Sequence, residues 1–126
     1  MKFVQATLIT ACLTLAASGV QAQSSATIVC GGVGIDESTR MLGEQRNHSL
    51  TWLMTEKNGN YIFGVQTRVL GADGVERTAN QDCGPIAHVD VTQPGRYQVV
   101  ATYNGVSKEQ TVNLAPASGQ RVHMQW

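Results

Sequence analysis

From Leu50 onward apolar residues recur at every second position, and the alternation is cut about every ten residues by Gly, Pro, Asn or Asp. A strand with that period buries one face only, and many short strands of this kind bury it best by stacking as two sheets. Leu50, Trp52 and Met54 share one face against Ser49, Thr51 and Leu53, and Lys57-Asn58-Gly59-Asn60 turns the chain. Tyr61, Phe63, Val65, Thr67 and Val69 then alternate with Ile62, Gly64, Gln66, Arg68 and Leu70, up to a turn at Ala72-Asp73-Gly74. A short strand is expected over 75–79, a loop over 80–85 and a strand over 86–91. Gln93-Pro94-Gly95 reads as a tight turn in which Pro presets one dihedral and Gly permits a positive one. Asn104-Gly105 is the strongest hairpin signal, because both residues tolerate the left-handed backbone of a type I′ turn; it joins 97–103 to 106–114. Val122, Met124 and Trp126 share a face of the closing strand. The expectation is an all-β chain, a single antiparallel β-sandwich of about seven strands of immunoglobulin or prealbumin type. A short helix or irregular segment over 36–45 precedes it.

The N-terminus carries one charge, Lys2, and then an apolar run from Phe3 to Ala17, followed by Ser18-Gly19-Val20-Gln21-Ala22. That is the pattern of a cleavable secretory signal, with small residues Val20 and Ala22 preceding cleavage before Gln23. The run is shorter than the roughly 20 apolar residues that span a bilayer, so the membrane is met only through the leader. Residues 1–22 are read as signal peptide, 23–46 as a leader with a short strand and helical or irregular segment, and 47–126 as the sandwich. Cys12 leaves with the signal, and Cys30 and Cys83 remain for a periplasmic or extracellular compartment where disulfides persist. Their bridge would close a loop of about 54 residues and stabilise the fold by about 4 kcal/mol on the chain-entropy model. Nine Lys plus Arg balance nine Asp plus Glu, with no cluster of either sign, which removes the electrostatic case for nucleic acid.

The stretch Val89-Asp90-Val91-Thr92-Gln93-Pro94-Gly95-Arg96-Tyr97, running on through an alternating strand to Asn104-Gly105, resembles the carboxypeptidase regulatory-like and prealbumin-like β-sandwich modules. Together with Cys30-Gly31-Gly32-Val33-Gly34, Asp36-Glu37-Ser38, Gly59-Asn60-Tyr61, Cys83-Gly84-Pro85 and the final Trp126, it is similar to short exported proteobacterial proteins that carry the module. The resemblance spans most of the chain after the leader and implies fold and location, since the regulatory domain of carboxypeptidases is non-catalytic. Hydroxyisourate hydrolases share the prealbumin fold but end in Tyr-Arg-Gly-Ser, where this chain ends His123-Met124-Gln125-Trp126. Collagen-adhesin domains with a Lys–Asn crosslink need an Asn or Asp on the last strand, which is absent here.

His88 and Asp90 lie two apart on one strand face, yet no nucleophile elbow places a serine beside them. They read as surface residues on a solvated face. A metal could be held by His88, Asp90 and His123 only if folding converged them, since no ligand spacing encodes it. Gly31-Gly32-Val33-Gly34 lacks the Lys-Ser or Lys-Thr ending of a phosphate loop and reads as a connector. With no cofactor motif and no catalytic motif, the expected function is a non-catalytic interaction module of the cell envelope, binding a protein or saccharide. His88, Asp90, His123 and Trp126 are the candidate contact residues. The alternatives are a small hydrolase built on His88, Asp90 and His123, and a structural or stress-protective envelope protein.

Overall fold

The computed structural model describes residues 25–126; the expected leader, its cleavage point and Cys12 lie outside the described residues. Strands run over β1 (Ala26–Gly31), β2 (Leu50–Thr55), β3 (Val65–Leu70), β4 (Glu76–Cys83), β5 (Ile86–Val91), β6 (Gly95–Tyr103), β7 (Val106–Leu114) and β8 (Gln120–Gln125). One helix, α1 (Ile35–Gly43), and a 3₁₀ turn over Gln45–Asn47 sit between β1 and β2. The strands form two four-stranded sheets, β1-β5-β2-β8 and β4-β3-β6-β7.

Alternation decides what lies between them. Leu50, Trp52 and Met54 from β2, Ala87, Val89 and Val91 from β5, and Val122 and Met124 from β8 meet Val65, Val69, Tyr97, Val99 and Ala101 of the other sheet in one core. Trp52 is fully buried at its centre. All neighbouring strands pair antiparallel except β2 and β8, which run parallel from Leu50↔Gln120 to Thr55↔Gln125. The exception follows from how the chain crosses over. After β7 it returns to the first sheet beside the start of β2, where Gly119 N–H bonds the His48 carbonyl and Gln120 N–H the Ser49 carbonyl. From that entry point β8 can only run the same way as β2.

The structure departs from the sequence expectation at particular points. The strand expected from Tyr61 begins at Val65, because Gly64 takes a left-handed φ of 70° that reverses the phase. Before it Ile62 is buried while Tyr61 and Phe63 are exposed, the inverse of the expected faces. The loop expected over 80–85 is in large part strand, since β4 runs on to Cys83. Its polar residues mislead because β4 is an edge strand of largely solvent-exposed residues, and Thr67 Oγ1 donates to the Asn80 carbonyl across the pairing. At Pro94-Gly95 no positive φ is used. The bend is held instead by Tyr97, whose hydroxyl donates to the Gln93 carbonyl at 2.8 Å, an arrangement akin to a tyrosine corner. The helix is real, but the residue before it is Gly34 with no side-chain cap; Asp36 and Glu37 lie in its first turn. Asn104 and Gly105 take φ of 50° and 77°, as a type I′ hairpin requires.

Candidate functional site

Two places on the molecule combine functional groups with access. The first is the free edge of β1. Cys30 and Cys83 are bridged with their Cα atoms 5.1 Å apart, which joins the edge strand of one sheet to the edge strand of the other. The glycine connector that follows Cys30 is fixed by hydrogen bonds: Glu37 Oε2 accepts from the backbone N–H of Gly32 at 2.7 Å and of Val33 at 3.2 Å. Backbones pass so closely beside the bridge that a Cβ on Gly84 would meet the Gly31 carbonyl oxygen at 2.7 Å. A cleft of about 360 Å³ opens there, lined by the disulfide, Gly31, Glu37, Asp82 and the side chains of Val33 and Phe63. Val33 and Phe63 are 62% and 53% exposed, and Val29 on β1 and Ile35 at the helix start are 60% and 84% exposed.

The second place is the outer face of the first sheet. Here β5 presents Ile86, His88 and Asp90 away from the core, and α1 lies across β5 and β1. His88, expected on a solvated face, is only 3% exposed. Its Nε2–H donates to the Met41 carbonyl at 2.8 Å, a carbonyl in the last turn of α1 that otherwise takes only the longer bond from the Glu44 N–H at 3.2 Å. Burial pushes its pKa below the ordinary histidine value; the positive charge His48 can carry pushes the same way, while the Met41 bond, Glu44 and Asp90 oppose. With Nε2–H turned to that carbonyl, Nδ1 is the acceptor nitrogen of the ring in its neutral form.

His48, which sequence reading did not single out, stacks on His88 with ring centroids 3.8 Å apart and planes 13° from parallel. The partner of Asp90 is therefore His48 and not His88. Asp90 Oδ2 accepts from His48 Nδ1–H at 2.8 Å, and its Oδ1 accepts from Ser49 N–H at 3.1 Å. Glu44, which caps the end of α1, completes the group: one carboxylate oxygen of it and one nitrogen of each ring lie within 4.8 Å of one another. The signal for His48 is the β2–β5 register. Leu50 pairs with Val89 and Thr51 with His88, so the residues just before β2 must fall beside Asp90.

His123 is not part of this group. It lies on β8, two strands away from β5, and its Nε2 meets Thr55 Oγ1 at 2.8 Å. Among the described residues no hydrogen bond joins any two of His88, Asp90 and His123, and no serine, threonine or cysteine side chain is hydrogen-bonded to the His48 or His88 ring. Trp126 closes the far edge of the sandwich. Its indole Nε1–H donates to the Val106 carbonyl at 2.9 Å, and its ring meets Tyr103 edge-on at 6.1 Å. No protein-family model matches the chain, and no curated protein is significantly similar to it.

Proposed function

We propose that this chain is an exported, non-catalytic interaction module of the cell envelope, and that a protein partner docks along the β1 edge beside the disulfide. The observation that carries the reading is the exposed apolar surface at that edge, with Val33 and Phe63 lining a cleft beside the Cys30–Cys83 bridge and Val29 on β1 and Ile35 at the start of α1 exposed as well. An edge strand offers unpaired N–H and C=O groups to an added strand, and apolar side chains beside it supply the contact area. Export is supported by the leader pattern over residues 1–22, and the bridge is of a kind that persists in oxidising compartments. The resemblance of the Pro94-Gly95-Arg96-Tyr97 region to carboxypeptidase regulatory-like modules points the same way, toward a binding rather than a catalytic domain. A hydrolase built on His88, Asp90 and His123 would need the three in one cleft, and His123 stands apart from the other two.

The test is site-specific photo-crosslinking in the native envelope, with the crosslinker placed at Val29, at Val33 and, as control, at Val106 on the opposite edge. The reading expects a discrete adduct from positions 29 and 33 and none from 106. Adducts from 106 alone, or none from the β1 edge, would remove it.

A further inference from the structure

We propose that Glu44, His48 and His88 form a binding site for one divalent transition-metal ion, with zinc the best fit to the donor set. The site goes beyond the docking reading and uses none of the residues at the β1 edge.

Three features of the outer face carry it. The donors come from separate elements, the end of α1, the segment entering β2 and the middle of β5, and folding brings them within 4.8 Å of one another. Each imidazole is also held by an acceptor on one nitrogen only. His48 Nδ1–H is turned to the Asp90 carboxylate and His88 Nε2–H to the Met41 carbonyl, which leaves His48 Nε2 and His88 Nδ1 as lone-pair donors. A carboxylate or carbonyl on the far nitrogen is how metal-binding histidines are oriented and made more basic. The last feature is Thr51. It is fully buried and pairs directly with His88 in the β2–β5 register, so it projects from the same face, and its hydroxyl has no hydrogen-bond partner among the described residues. A water on an open metal position beside His88 would give that hydroxyl a partner.

Two imidazoles and a carboxylate suit zinc and its neighbours, whereas calcium and magnesium take oxygen donors throughout. Arg40 Nη1 already holds one oxygen of Glu44 at 3.0 Å, so the other oxygen is the one available. The near-parallel stack must open for both lone pairs to converge on one ion. His48 is the ring with room to turn, its side chain being 25% exposed, while His88 is enclosed. A bound ion would tie the end of α1 and the entry to β2 onto β5, so binding stabilises the fold as well as filling the site.

The experiment is calorimetric titration of the untagged, oxidised chain with Zn²⁺ alone, paired with Co²⁺ titration followed by visible absorption. The expected result is one ion per chain and the absorption of four- or five-coordinate Co²⁺. His48→Ala should weaken binding more than 100-fold, and Asp90→Asn about 10- to 100-fold through the orienting bond. His123→Ala should leave it unchanged. In the unsubstituted protein, ring resonances of His48 and His88 should shift on adding Zn²⁺ while those of His123 stay, a readout that needs no variant to fold. Absence of saturable binding, equal affinity in His48→Ala, or a shift confined to His123 would overturn the site.

Discussion

At one edge of the sandwich a covalent bond joins the two sheets, Cys30 on β1 to Cys83 at the end of β4; at the other edge an indole does so, Trp126 reaching from the end of β8 to the Val106 carbonyl of β7. The difference shows in what each edge can leave exposed. Along β8 the apolar side chains are committed to closure, with Val122 and Met124 only 2% and 5% exposed and Trp126 against Tyr103. Beside the bridge the sheets are joined covalently, and Val29, Val33 and Phe63 remain more than half exposed, against Val106 on β7 at the other edge. A covalent edge is free to present an apolar surface. Its cost is dependence on an oxidising compartment, which the indole edge does not share.

Replacing both bridge cysteines, Cys30→Ala with Cys83→Ala, should have the largest effect. The chain-entropy model gives a loss of about 4 kcal/mol, read by urea denaturation, and reduction of the unsubstituted protein should match it. If the double variant lost under about 1 kcal/mol, the β1 edge would owe its closure to packing after all. Trp126→Ala should come next, at about 2 kcal/mol, below the cost of deleting a fully buried aromatic because the ring is only half-buried. Hydrogen exchange sharpens this prediction: the variant should lose amide protection along β8 first, while β1 keeps its own. Trp126→Phe keeps the ring and removes the bond to Val106, and should cost about 1 kcal/mol. His123→Ala, which removes the bond to Thr55 on the same edge, should cost about 0.5 kcal/mol by the same denaturation measurement.

The inner faces of the sheets could be read from the sequence because a period of two names the buried side directly. Leu50, Trp52 and Met54, and Tyr97, Val99 and Ala101, all lie in the core as their alternation requires. The Asn104-Gly105 hairpin was legible from a local backbone conformation, and the Cys30–Cys83 bridge from there being just two cysteines after the expected leader. The outer face was not legible. His88 looks like a solvated residue until α1 is laid over it, and nothing in the run 35–43 states which strands that helix covers. Glu44, His48 and His88 are brought together by strand register and by that cover, both of them long-range facts. The polar run Asn80-Gln81-Asp82 was misread as a loop because an edge strand need not alternate. The crossover that makes β8 parallel to β2 is set by contacts of 118–120 with His48 and Ser49, seventy or so positions earlier by the reach of the loop.

The claim on which the two-edge account rests is that the bridge exists in the protein as the cell makes it. Peptide mapping without reduction, on protein recovered from its own compartment after trapping free thiols, tests it most directly. The account predicts one crosslinked peptide pair containing Cys30 and Cys83, on a chain that starts at Gln23. Recovery of both cysteines as alkylated thiols, with the leader still attached, would contradict it.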